Sequence, residues 1–130
     1  MSREVFVNGE YKEYVKSYVH VEDRGYQFAD GVYEVFCVLG GKIVDYEGHI
    51  TRLYRSLNEL RIASPIHKNS YKFHINEIIK RNIIYDGFIY LQITRGVASR
   101  DFKFPNNTKS SLVIIGKNVP KDSYNKNFNK

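Results

Sequence analysis

The run Val32 to Leu39 (VYEVFCVL) constrains this chain more than any other feature. It is built from β-branched and aromatic residues, holds a single charge at Glu34, and is followed at once by Gly40-Gly41 and Lys42 to Val44. Two strand-like runs separated by two glycines read as a hairpin. Because the first run is apolar on both faces apart from Glu34, it is expected at the centre of a sheet, covered on both sides. An unpaired carboxylate there is costly, so Glu34 should find a cation, with Arg24, Arg95 or another basic residue as its partner.

The rest of the chain supplies elements to pack around that strand. Val5, Phe6 and Val7 precede Asn8-Gly9, whose tolerance of positive φ suits a two-residue type I′ turn, and Tyr11 follows it in a second strand. Ile50, Leu53, Tyr54, Leu57 and Leu60 recur at helical spacing, which predicts a helix capped by Asp45 and ending near Arg61. Ser64-Pro65 interrupts that pattern, and Ser70 opens a second helix to about Asn82, with Tyr71, Ile75, Ile78 and Ile79 on one stripe. Asp86-Gly87 makes a turn, and the runs Phe88 to Thr94 and Leu112 to Ile115 read as strands joined by the polar loop Gly96 to Ser111. Hairpin-joined strands with two consecutive helices between them argue for an α+β fold: a largely antiparallel sheet with both helices packed on one side. From Asn118 onward the composition turns to Asn, Lys, Ser and Asp, so residues 118–130 are expected to be a flexible polar tail behind a folded domain of residues 1–117.

At 130 residues the chain has the size of one domain, able to bury roughly two thirds of the surface its unfolded form exposes. With 11 Tyr and 8 Phe but no Trp and one Met, large aromatics are expected to dominate the core. The lone Cys37 has no internal disulfide partner and sits in an apolar run, where a buried thiol suits a reducing compartment. No segment approaches the roughly 18 apolar residues of a membrane span, and no basic stretch leads into an apolar leader. The chain therefore reads as soluble, unexported and cytoplasmic. A net charge of +6 favours anionic partners in general, although lysines scattered over helix exteriors and the tail are also what an ordinary solvated surface carries.

The unaided signatures of chemistry are missing. The sequence holds no GxGxxG, no GxxxxGK[ST] and no HExxH, and its four histidines lack metal-ligand spacing. Arg52 lies well off the apolar stripe of its helix, which by spacing alone makes it a solvated arginine. Tyr33 within the central strand reads as a core aromatic with a satisfied hydroxyl. Arg100-Asp101 reads as an exposed loop pair and Arg95 as a strand-end charge.

Three segments change these readings: Asp23 to Glu34 (DRGYQFADGVYE), His49 to Ser56 (HITRLYRS) and Thr94 to Pro105 (TRGVASRDFKFP). Together they resemble the N-terminal half of a fold-type IV, pyridoxal-phosphate (PLP) aminotransferase, in family order and over residues 4–117. FxDG and HIxRL elements are shared by branched-chain aminotransferases and aminodeoxychorismate lyases, and the third segment favours the D-amino-acid aminotransferases. The resemblance implies that Arg52 binds the PLP phosphate, a role suited to a guanidinium fork. It implies that Tyr33 and Arg100 bind the substrate carboxylate and that Glu34 supports its neighbours. The family's third carboxylate ligand, a histidine, is replaced by Phe102; a benzyl group cannot donate that hydrogen bond, a loss of about 1 to 3 kcal/mol if a buried acceptor goes unpaired.

In the family the lysine that carries PLP and moves the α-proton lies in a second domain, and nothing after Val119 resembles its start. The chain is therefore expected to be a truncated D-amino-acid aminotransferase-like protein, inactive alone and with PLP binding in doubt. One alternative is half of a split enzyme completed by a second chain, which would cover apolar surface that this half exposes. Another is a non-catalytic module for phosphates or nucleic acid, whose association would depend steeply on salt. The family resemblance weighs against nucleic acid. It also implies a homodimer, in which the small domain takes part.

Overall fold

A computed structural model of the chain describes residues 3–101, 103, 105 and 108–119. The Asn8-Gly9 pair turns β1 (Glu4–Val7) into β2 (Glu10–Glu13), with Val7 opposite Glu10 and φ of 49° at Asn8 and 95° at Gly9. Both central residues have the positive φ of a type I′ turn, as Asn-Gly predicts. The Asn8 side chain also ties this turn to a distant strand, since its Oδ1 accepts the Leu112 amide at 2.7 Å and the Ser111 hydroxyl at 3.1 Å. Gly40-Gly41 likewise joins β3 (Gly31–Leu39) to the short β4 (Lys42–Ile43).

Two amphipathic helices follow. Asp45 caps α2 (Tyr46–Leu60) through the Gly48 amide, and Ile50, Leu53 and Leu57 form its buried face. At its end Arg61 adopts φ 55°, and the Ile62 amide reaches back to the Leu57 carbonyl at 2.9 Å, a Schellman closure with arginine at the position glycine usually takes. α3 (Ser70–Arg81) buries Tyr71, Ile75, Ile78 and Ile79, the predicted stripe, with Asn69 rather than Ser70 at its N-cap. β5 (Gly87–Thr94) and β6 (Ser111–Asn118) complete a six-stranded sheet in the order β2-β1-β6-β5-β3-β4, with every pair antiparallel. The α+β expectation holds, with two short helical elements added: a 3-10 turn at Tyr14–Lys16 and α1 (Arg24–Phe28), whose N-cap Asp23 accepts the Gly25 amide at 2.8 Å. A helix this short leaves no periodicity to read.

Both long helices lie on one face of the sheet. There Val32, Glu34, Phe36 and Val38 of β3 point inward beside Ile89, Leu91 and Ile93 of β5 and Leu112 and Ile114 of β6. The expectation that β3 is covered on both sides fails. Tyr33, Val35 and Leu39 face outward, 62%, 42% and 52% exposed, so the strand is central in the sheet but sided like any antiparallel strand. The core is also not aromatic in the main. Phe6, Phe36 and Tyr71 are buried, but isoleucine is the commonest core residue, and Tyr14, Tyr18, Tyr26, Tyr33 and Tyr85 are exposed. A tyrosine hydroxyl needs a partner or water, which a dry core seldom provides.

The C-terminal boundary shifts too. Asn118 ends β6, accepts the Tyr85 amide at 3.2 Å and donates to the carbonyls of Asn82 and Ile83, while the Val119 amide bonds the Asp86 carbonyl at 2.9 Å. Asn118 is therefore part of the sheet and Val119 is tied to the turn beside it, so neither behaves as the predicted tail, and residues 120–130 lie outside the described residues. No helix among the described residues is long and apolar enough to cross a membrane.

Leu91 sits fully buried at the middle of β5, paired with Glu34 across β3 and with Ile114 across β6. Leu91→Ala is expected to cost about 2 to 5 kcal/mol in urea unfolding. A loss under about 0.5 kcal/mol would mean that this layer is not the core.

Candidate active site

The strand that fixes the sheet also carries its most unusual buried group. Glu34 is 3% exposed, on the helix-facing side of β3, and both its oxygens are engaged. Oε2 accepts Arg52 Nε at 2.8 Å, while Oε1 accepts Arg52 Nη2 at 2.8 Å and lies 2.7 Å from His49 Nδ1. His49 and Arg52 stand three residues apart on α2, the spacing that places two side chains on one side of a helix. Burial pushes the Glu34 carboxyl up, but hydrogen bonds and charge from Arg52 and His49 outweigh it and hold the group below the usual carboxylate range. In return Glu34 raises the Arg52 guanidinium above its ordinary value.

Glu34 thus finds its cation on α2, and the two arginines first considered for it serve elsewhere. Arg52 is not merely solvated either. Its side-chain contact with Glu34 uses Nε and one Nη, while the side chain is 56% exposed, and no further hydrogen bond to Arg52 occurs among the described residues. The remaining N–H groups form a fixed, outward-facing cationic edge. An anion with several oxygens, such as a phosphate, matches that edge in charge and donor geometry.

Tyr33 is not a core aromatic. It projects from the opposite face of β3 and stacks on Tyr90 with ring centroids 5.7 Å apart. Arg100 lies on the exposed loop after β5, with its guanidinium 5.7 Å from the centre of the Phe28 ring. Phe102 lies outside the described residues. The structure therefore brings Glu34 and Arg52 into direct contact, sets Tyr33 beside them on the other face, and carries Arg100 on the loop that begins where β5 ends.

A second buried charge cluster escaped the sequence reading. Asp30, just before β3, accepts Arg24 Nε at 2.8 Å and Arg95 Nε at 2.7 Å on the same oxygen, Oδ2. All three residues are buried. Burial acts to raise the Asp30 carboxyl, yet the hydrogen bonds and charges of Arg95 and Arg24 prevail and lower it. Arg95 is consequently no strand-end surface charge: its two Nη groups donate to the carbonyls of Arg61 (3.0 Å) and Leu60 (2.7 Å), satisfying the open end of α2. The signal available in sequence was only that all three residues fall inside the motif segments. Among the described residues no cluster of His, Cys, Asp and Glu could hold a metal ion.

Comparison with known proteins bears on the family and the fold. The sequence model of the family Amino-transferase class IV matches residues 31–128. A D-alanine aminotransferase of Listeria innocua is 37% identical over 121 residues, covering 91% of this chain and 42% of that protein. One of Bacillus licheniformis is 40% identical over 100 residues, covering 77% and 35%. The chain thus spans less than half the length of these relatives. In fold, an Escherichia coli branched-chain amino acid aminotransferase superposes with a TM-score of 0.84 at 17% identity, over 92% of this chain and 42% of that one. A second branched-chain amino acid aminotransferase, from T.th. and solved with pyridoxamine 5'-phosphate, gives 0.84 at 16% identity, over 92% and 41%. The matched family model, the relatives' shared identity and the common fold place the chain in the class IV aminotransferase family.

Proposed function

We propose that these residues supply the anion-recognising half of a PLP-dependent, D-amino-acid-specific aminotransferase site. The observation that carries the reading is the Glu34–Arg52 clamp. It spends half of the guanidinium on a buried carboxylate and leaves the other half facing outward. The donor set suits the phosphate of PLP: a permanently charged fork, held rigid and only partly screened. In this reading Arg52 contacts the phosphate, Glu34 and His49 fix its direction, and Tyr33 and Arg100 receive the substrate carboxylate beside Phe102. When bound, PLP supplies an electron sink for the amino acid's α-carbon. This chain's own residues bind and orient; moving the α-proton falls to a base in the part of the relatives that the chain does not span.

Chain coverage of 42% and 35% of the relatives supports an incomplete site in these 130 residues. Purified chain supplied with PLP, D-alanine and 2-oxoglutarate is expected to show no turnover above a PLP-only control. Turnover above that control overturns the proposal that the lysine-bearing portion is required. The exposed outer face at Tyr33, Val35 and Leu39 favours a second reading, in which another polypeptide provides that portion and covers this surface. A homodimer through the small domain is the further assembly that the family suggests.

The phosphate assignment makes a sharper prediction. Pyridoxal phosphate added to the chain should shift the Arg52 Nε–H resonance in NMR, whereas pyridoxal, which lacks the phosphate, should not. Arg52→Ala should weaken pyridoxal phosphate binding about ten- to a hundredfold, the worth of one charge-assisted pair. Equal responses to the two compounds would remove Arg52 from the phosphate site.

The same clamp sets an acid limit on stability. Glu34 and Asp30 have folded pKa values depressed below their unfolded ones, so their contribution is present above the unfolded carboxylate range and is lost as pH falls through the folded values. Urea midpoints should therefore fall steadily below about pH 4. Arg52→Ala, which leaves the buried carboxylate only His49, should move that fall to higher pH. A variant profile superimposed on the native one would show that Arg52 does not neutralise Glu34.

A further inference from the structure

We propose that Arg24, anchored on Asp30, is the positioning residue for the loop that carries Arg100. The proposal deepens the functional reading above and rests on it for the role of Arg100 in carboxylate binding. Its basis is the way one guanidinium is shared. Arg24 Nε donates to Asp30 Oδ2 at 2.8 Å, while Nη1 of the same group donates to the backbone carbonyl of Asp101 at 2.8 Å, the residue next to Arg100. The backbone amide of Arg24 adds a bond to the Gly96 carbonyl at 2.9 Å, at the root of the loop.

The other end of this connection is buried and held by several hydrogen bonds. Asp30 is clamped by Arg95, whose backbone amide bonds the Asp30 carbonyl at 3.0 Å and whose Nη groups hold the C-terminus of α2. One buried carboxylate thus joins the start of β3, the end of β5, the end of α2 and the loop. These are the elements that carry Tyr33, Glu34, Arg52 and Arg100. The Phe28 ring completes the arrangement, with the Arg24 guanidinium 4.6 Å and that of Arg100 5.7 Å from its centre.

The loop needs such a fixture. Residues 95–110, between β5 and β6, make a connection well beyond the usual length, and long connections sample many conformations unless something ties them down. Near Arg100 the described backbone ties to the rest of the fold are few: the Asp23–Val97 bridge, the Ala98 amide on the Glu22 carbonyl at 3.3 Å, and Arg24 on Asp101. The first two hold the base of the loop. Of these three, only the last reaches the residue beside Arg100. Arginine is suited to this because its planar fork spans a carboxylate and a carbonyl at once, whereas a lysine ammonium offers a single point of charge.

Arg24→Lys tests the proposal, since it keeps a cation beside Asp30 and loses the fork. Amide hydrogen exchange in the native chain and the variant separates a local from a global effect. Exchange at Ala98 and Lys103 is expected to accelerate at least tenfold, with the amides of Ile93 and Ile114 unchanged. Equal acceleration throughout the sheet would show that Arg24 only stabilises the fold, and no acceleration would show that the loop is held by other means; either overturns the proposal. Should Arg24→Lys not fold, the native chain keeps the test: a through-hydrogen-bond NMR coupling from the Arg24 Nη1–H group to the Asp101 carbonyl is expected, and its absence overturns the proposal. D-Alanine titrated against the Arg100 Nε–H resonance tests the functional reading separately. A shift in the native chain that weakens about tenfold in the variant supports both. If the native chain gives no shift while loop exchange responds as expected, the carboxylate role fails and the positioning role stands. An equal shift in both proteins leaves the carboxylate role intact and overturns the positioning role.

Discussion

The architecture depends on two carboxylates buried four residues apart at the start of β3. Taking an ionised carboxylate out of water costs several kcal/mol, and only well-placed cations repay it. Asp30 and Glu34 each draw theirs from other parts of the chain: Arg24 from α1, Arg95 from the end of β5, and His49 and Arg52 from α2. Hydrophobic burial can bring helices onto a sheet at many angles, because it has no direction. These ion pairs have direction, so they select one docking of α2 on β3 among the arrangements that the apolar stripe would allow.

The two clusters differ in what they leave over. Around Asp30 one carboxylate serves two arginines, whose Nη groups reach backbone carbonyls of α2 and of the loop. That cluster is closed and structural. Around Glu34 one carboxylate takes only one side of Arg52, and the other side meets solvent. A binding group must combine rigidity with an unused valence, and Arg52 has both. Preorganising it within the folded domain means that little conformational freedom remains to be lost when an anion arrives.

Most of the scaffold was legible in the sequence because local rules governed it. Asn8-Gly9 and Gly40-Gly41 dictated their turns, and the stripes of α2 and α3 matched their buried faces closely. What could not be read was decided at long range. The outer face of β3 is apolar in composition yet stays exposed, and periodicity cannot distinguish a residue that is covered from one that is merely coverable. Arg95 sat in a strand end where charge usually meets water, and only the tertiary placement of the α2 terminus made it a helix cap. The pairing of Glu34 with Arg52 had the same origin: the cost of the buried charge required some cation, and only the crossing of α2 over β3 chose which one. The family motifs singled out Arg52 and Tyr33 as special, but by pattern rather than by physics.

The open face now takes on a meaning that the sequence alone could not give it. An antiparallel sheet may leave one side to water when that side is polar, but here it presents Tyr33, Val35 and Leu39 with Tyr33 stacked on Tyr90. The two faces of β3 therefore divide the work. The inner face secures Glu34 and, through it, Arg52, while the outer face holds Tyr33 ready beside the same strand edge. Alternation along a single strand places Glu34, with Arg52 of α2 held on it, and Tyr33 on opposite faces, and among the described residues the strand carries no strand partner over Gly31–Phe36 on the side away from β5. On the function proposed above, an anion approaching this edge would meet both groups without any rearrangement of the sheet.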